Sequence, residues 1–201
     1  MYLPRHFKVA DEDVLLSFIE EHSFGVLFSN HDGRPEATHL PFLVDRESGC
    51  LLAHFAKANP QWRDIWDQEV LAVFQGPHHY VSSSWYETNR SVPTWDYVTV
   101  HVRGRLERVS DTEEMMEIMN RMVSFYESPE SAYHIDETNE RYIERMLGGV
   151  VGFRLRIDEL EGKWKLNQNH PKERRERVAH ELEKIGSEDA LALARMMREQ
   201  M

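Results

Sequence analysis

Residues 54–62 run His54-Phe55-Ala56-Lys57-Ala58-Asn59-Pro60-Gln61-Trp62, and this segment decides how the chain is read. The apolar run Cys50 to Ala56 has the character of a buried strand, and Asn59 with Pro60 has that of a helix start. Asn accepts hydrogen bonds from the exposed amides of a first turn, and Pro at the first helical position forfeits no useful donor. A helix N-terminus carries partial positive charge and unsatisfied N–H groups, so it attracts anions. Lys57 adds a full charge just before it, where a ligand phosphate could rest. Taken alone, a strand-to-helix turn with a solvated lysine explains the same residues. The segments around it bear on the choice.

Upstream, Thr38-His39-Leu40-Pro41-Phe42 lies inside an apolar strand from Pro35 to Val44. Alternation puts His39 and Pro41 on one face and Thr38, Leu40 and Phe42 on the other. A proline cannot donate to a ladder, so this strand is expected at an edge or bulged, with backbone groups free for a planar heterocycle. Downstream come Gly76-Pro77-His78-His79-Tyr80-Val81-Ser82, Ser84-Trp85-Tyr86 and Val92-Pro93-Thr94-Trp95-Asp96-Tyr97. These aromatics are crowded into what read as turn-rich segments beside strand ends. They could stack on a ring system or plug the end of a barrel.

A pass along the chain predicts a helix from about Asp11 to His22 with the stripe Val14, Leu15, Phe18 and Ile19. Phe24 to Asn30 is the first strand, and His31-Asp32-Gly33-Arg34 a hairpin turn. Cys50 to Ala56, Val70 to Gln75, Tyr97 to Arg108 and Val150 to Asp158 are further strands. Along Tyr97 to Arg108, Val98, Val100, Val102 and Leu106 point inward, and Gly104 in that row marks a bulge or a close approach. Ser110-x-x-Glu113 is a capping box opening a helix to about Tyr126, whose face is Met115, Met116, Met119, Met122 and Val123. A second helix covers about Glu137 to Leu147. Short strands at close spacing fit an α+β protein that is mainly β, a closed antiparallel barrel with added helices. The tail reads as a helical hairpin: Pro171 opens one helix, Gly186-Ser187 ends it, and Ser187 caps another to Met201.

Composition bounds the function. Two hundred and one residues, 41% hydrophobic and 29% charged, suffice for one substantial domain with appendages. No long uncharged apolar run or N-terminal secretory h-region is present, so neither membrane insertion nor export is expected. The single Cys50 excludes an intrachain disulfide and fits a reducing cytoplasm. A net charge of −11 repels DNA phosphates, and the one basic cluster, Lys172-Glu173-Arg174-Arg175-Glu176-Arg177, is diluted by two glutamates. A helix-turn-helix reading of the tail is therefore weaker than a dimer arm or a flap over the site. No metal site is expected, because His78 and His79 face opposite ways on a strand and no ligand spacing accompanies them. Walker and Gly-x-Gly-x-x-Gly patterns are absent, and Ser82-Ser83-Ser84 lacks a nucleophile elbow.

Several of these segments together resemble the PaiB family of FMN-binding negative transcriptional regulators, in the FMN-binding split-barrel group that includes pyridoxamine-phosphate oxidase. The resemblance covers residues 1 to about 168. It rests on His39-x-Pro41, Lys57 to Trp62, Gly76-Pro77 with Tyr80-Val81-Ser82, Pro93-Thr94-Trp95 with Tyr97, Val100-His101 with Gly104, and Lys165-Leu166-x-Gln168-Asn169. It implies an antiparallel FMN-binding split β-barrel over 1–168, followed by the helical hairpin 169–201. It also implies a homodimer with flavin at the subunit interface. His39, Leu40 and Pro41 would lie along the isoalloxazine, His54, Phe55 and Ala56 along the ribityl chain, and Lys57 with Asn59 at the phosphate. The second subunit would supply Trp95 and Trp85, with Lys165 and Gln168 closing the site. For every one of these residues ordinary packing or solvation is the competing account. Haem is the rival cofactor, with His39, His54 or His101 as axial ligand. Three functions follow: a flavin-binding repressor of genes such as those for protease synthesis and sporulation, an FMN- or haem-dependent oxidoreductase with indirect regulatory effect, and a cofactor-free DNA-binding repressor. The first is preferred, and no catalytic residue is assigned.

Overall fold

The computed structural model describes residues 1–201. Its strands are β1 (Lys8–Val9), β2 (Phe24–His31), β3 (Arg34–Pro41), β4 (Leu43–Asp45), β5 (Cys50–Ala56), β6 (Val70–Val81), β7 (Thr94–Arg108) and β8 (Val150–Lys165). Its helices are α1 (Glu12–Glu21), α2 (Thr112–Tyr126), α3 (Glu140–Leu147), α4 (Lys172–Ile185) and α5 (Glu188–Glu199). The strands form one eight-stranded sheet in the order β3-β2-β6-β7-β8-β5-β4, with β1 pairing β8 antiparallel. The chain groups into two compact units. One contains 16–73 and 102–160, the other 1–15, 74–101 and 161–201, so β6, β7 and β8 each contribute to both.

In the first unit, Asp32 (φ 50) and Gly33 (φ 72) form the tight β2–β3 turn that Asp-Gly predicts. Its register is full, from His31 opposite Arg34 to Phe24 opposite Pro41. β3 is an end strand of the sheet order, which is how Pro35 and Pro41 are tolerated. Phe42 breaks the predicted single strand in two; its amide donates to Ser23 O at 2.9 Å and its ring is fully buried. β5 has the predicted bounds and pairs β8 from Cys50 opposite Arg156 to Ala56 opposite Val150. α2 lays Met115, Ile118 and Met122 on Leu43, Cys50, Leu52 and Val109. α1 spans the division after Leu15; on it Leu15, Phe18 and Ile19 are buried, whereas Val14 is 44% exposed and drops out of the predicted stripe.

In the second unit, α4 and α5 form the predicted hairpin. Gly186 takes the left-handed conformation (φ 72), and the Ser187 side chain accepts from Ala190 N. Val178, Ala179 and Leu182 of α4 and Ala190, Leu193, Ala194 and Met197 of α5 are buried, the spacing of two facing helical stripes.

Four further expectations are corrected. The helix at Asn59-Pro60 is only a four-residue 3₁₀ turn, Pro60–Arg63. Gly76-Pro77-His78-His79-Tyr80 is strand rather than turn, because β6 runs on to Val81; β2 pairs it only at Leu71–Val73, so Pro77 stands beyond that ladder. The cap of α2 is Asp111, whose carboxylate accepts from Glu113 N, not Ser110. β8 continues past Asp158 to Lys165, carrying Trp164 and Lys165 on a strand.

Candidate functional site

In the first unit, the loop after β5 is locked to β2 and β3 by a buried glutamine. Gln61 has no exposed surface; its amide nitrogen donates to Ser29 Oγ at 2.9 Å and Leu27 O at 3.3 Å, and its oxygen accepts from the Thr38 hydroxyl. Asn59 accepts from Gln61 N at 2.9 Å and donates to Thr38 Oγ1 at 2.8 Å. The polar atoms of Asn59 therefore brace the turn, and what they present outward is its backbone. A single 3₁₀ turn has little macrodipole, so any anion held here depends on side-chain cations.

Lys57 is one of them. It is exposed, its amide donates to Gly149 O at 2.8 Å, and its ammonium donates to Gly148 O at 3.2 Å, leaving two protons for a ligand. Trp62 Nε1 donates to Lys57 O at 2.9 Å, and the Arg108 guanidinium lies 5.5 Å from the Trp62 ring centre. Arg108, at the end of β7, is a cation that the sequence reading missed. Nothing local to 108 signals its contact with residue 62.

His39, Leu40 and Pro41 occupy β3 opposite Val26, Gly25 and Phe24. Leu40 is buried, whereas His39 is exposed and stacks on Phe24 with ring centres 6.0 Å apart. His54, Phe55 and Ala56 end β5 opposite Gly152, Val151 and Val150; Phe55 is core and Ala56 exposed. His54 Nδ1 is buried without a protein partner, and burial pushes its pKa down, so the ring is neutral. The unit also gathers His31, Asp32 and Asp64 within 4.8 Å at the hairpin turn. There His31 Nδ1 pairs with Asp64 at 2.8 Å and Asp32 N donates to the same carboxylate at 3.3 Å, which fastens the turn.

The second unit holds the other four predicted residues. Trp95 is half exposed beside His78 and Tyr80, with ring centres 5.5 and 6.4 Å away, and Trp85 stacks on His79 at 6.5 Å. Lys165 is occupied by Thr94 Oγ1, Trp95 O and, at 3.4 Å, Asp96. Gln168 is also engaged: it accepts from Leu166 N at 2.7 Å and donates to Trp164 O at 2.6 Å and Gln200 at 3.0 Å. Asp96 was not singled out, yet it is fully buried and one of its oxygens has no partner. Burial raises its pKa to about 6 against the opposing pull of Lys165. Nearby Asn167 is 2% exposed and held at φ 59, a conformation that costs a non-glycine residue about 1 kcal/mol.

The family match and the likeness of fold to solved structures place this sheet in the class of FMN-binding split barrels. Residues 1–159 match the family model described as "Putative FMN-binding domain". Over 205 residues the chain is 33% identical to "Protease synthase and sporulation protein PAI 2" of Bacillus subtilis (strain 168), covering 100% of this chain and 98% of that protein. It is 27% identical over 253 residues to an uncharacterized protein of Aspergillus fumigatus, covering 99% and 97%. The flavocytochrome Anf3 from Azotobacter vinelandii shares the fold with a TM-score of 0.64 at 14% identity, over 81% of this chain and 72% of that one. The FAD and heme binding protein from Mycobacterium smegmatis gives 0.63 at 12% identity, over 84% and 78%. The chain belongs to the PaiB family of FMN-binding split-barrel proteins.

The residues fit that cofactor. Lys57 has donors to spare, Arg108 has no carboxylate partner, His54 has an unmatched ring nitrogen, and β3 ends the sheet order with one backbone edge outside it. No helix is long and apolar enough to cross a membrane.

Proposed function

We propose that the chain is an FMN-binding negative regulator of transcription of the PaiB type, acting in the cytoplasm on genes such as those for protease synthesis and sporulation. The end-to-end similarity to PAI 2 carries this reading. Lys57 and Arg108 hold the phosphate, His54 meets the ribityl chain, and the free edge at His39–Pro41 receives the polar rim of the isoalloxazine. Asn59 acts through the turn it braces. Trp85, Trp95, Lys165 and Gln168 come from the second subunit of a homodimer. Bound flavin supplies electron transfer, and the protein supplies binding, orientation and electrostatics.

Lys57→Ala should weaken FMN roughly tenfold to a hundredfold, the worth of one charge-assisted hydrogen bond, and leave riboflavin unchanged. Fluorescence titration with both flavins reads this directly. Equal loss for the two would remove Lys57 from the phosphate.

A specific observation favours a second reading, in which regulation is indirect and the chain is a flavin-dependent oxidoreductase. Two of the four cations in the basic cluster of α4 are spent within the fold. Arg174 grips Glu87, and Arg175 donates to the carbonyls of Met197 and Gln200 at 3.4 and 3.1 Å. Such arginines are poor candidates for phosphate contacts along DNA. Direct repression predicts a promoter fragment retarded at low salt in the presence of bulk competitor DNA. The enzymatic reading predicts bleaching of bound flavin by NAD(P)H and recovery in air. Visible absorption of the purified protein also separates flavin from haem, since only haem gives a Soret band.

A further inference from the structure

We propose that a cavity in the second unit, between the segment after β6 and the segment after β8, binds a small organic monoanion: a carboxylate on a flat apolar body. Its volume is about 530 Å³, room for a ligand of metabolite size. Phe7, Tyr86, Val92 and Pro93 supply apolar wall, and Arg90, Lys165, Asn167, His170 and Arg174 the polar wall. Of these residues the inference shares Lys165 alone with the flavin reading.

Asn167 is the first argument. It is 98% buried, its oxygen accepts from the Tyr86 hydroxyl at 3.5 Å, and its amide nitrogen has no acceptor. A buried donor left unmatched on a residue that lines the cavity calls for an oxygen from a ligand.

Charge is the second argument, and it decides the ligand class. Of the three cations, Lys165 is matched by Asp96 at pH 7, above the Asp96 pKa of about 6, and Arg174 by Glu87, whose carboxyl Arg174 holds down at about 2. His170 stays neutral, because burial and the adjacent Arg174 lower its pKa. Arg90 alone has no carboxylate partner. One uncompensated positive charge suits one negative charge; a phosphate dianion would bring a second beside Glu87 and Asp96. The apolar wall of Phe7, Val92 and Pro93 suits a flat body, beside a Tyr86 ring that carries Arg174 at 4.9 Å and the His170 ring at 5.4 Å.

The test is titration of the full chain, without added FMN, by ¹H–¹⁵N NMR with benzoate, following the side-chain amide of Asn167. A saturable shift of that amide is expected below about 1 mM benzoate, with benzyl alcohol and phenyl phosphate at least tenfold weaker, a difference of about 1.4 kcal/mol. Arg90→Gln, at an exposed position that leaves the core intact, should weaken benzoate by about the same factor. No saturable shift up to about 20 mM benzoate, a span chosen to include very weak binding, would overturn the proposal. Phenyl phosphate binding as tightly as benzoate, or Arg90→Gln binding benzoate unchanged, would overturn the charge assignment on which it stands. Competition by added FMN at the Asn167 amide would make the cavity part of the flavin site, which also overturns it. Failure of the flavin reading would show instead as absent FMN binding with the benzoate response intact.

Discussion

Gly104→Ala should cost about 3 kcal/mol or more, enough to unfold a marginal fraction of the protein at ambient temperature. Gly104 is buried in β7, and a Cβ built on it falls on the carbonyl oxygen of Arg156 in β8, with Leu155 Cδ1 only 3.1 Å away. Peptide oxygen in a sheet cannot swing aside as a side chain can. The strands would have to part and give up ladder hydrogen bonds worth about 1 kcal/mol each. Gly152→Ala in β8 provides the control. Its Cβ meets the Met115 thioether, a flexible group that can move, so a loss of about 1 kcal/mol is expected. Urea denaturation of the two variants compares them directly. A Gly104→Ala loss no larger than that of Gly152→Ala would refute the close approach.

The same glycine shows what local sequence carries. Its place in the inward row of β7 signalled a bulge or a near neighbour, though not which neighbour. The Asp-Gly hairpin, the bounds of β5 and the Gly186-Ser187 break were legible because each is set by backbone chemistry within a few residues. The turn after Asn59 was legible as a start but not in its length. It stops at Arg63 in a chain where Gln61 is drawn into hydrogen bonds with residues more than twenty positions away. β6 was cut short by the turn propensity of Gly76-Pro77, which tertiary context overrides once β2 no longer pairs beside it. Of the proposed site, Lys57 and the His39–Pro41 edge were named from the sequence. Arg108 was not, since its partner Trp62 is distant in sequence. Asp96 could have been found: it lies in the even-numbered inward row of Val98, Val100 and Val102, and extending that alternation one step buries it.

Burial of that carboxylate leads to the second large effect, a pH dependence that Asp96→Asn should abolish. Asp96 is fully buried, and its pKa rises from 3.8 to about 6 on folding. The folded state therefore holds the proton more tightly than the unfolded chain. Its contribution to stability is fully present below pH 4 and is lost as pH rises through 6. Two pH units correspond to about 3 kcal/mol. Other groups slope the opposite way: Glu87, Asp45 and Asp64 have lowered pKa values and stabilise as pH rises. The informative quantity is thus the difference in unfolding free energy between variant and parent, measured from pH 4 to pH 7. It should grow in favour of Asp96→Asn by about 3 kcal/mol across that range and level off above pH 6. Lys165 is not orphaned by the change, because Thr94 Oγ1 and Trp95 O still accept from it. A difference that stays flat with pH would mean that Asp96 keeps its charge throughout, held by Lys165. Lys165→Met would then be the more damaging variant, since it leaves that buried charge alone.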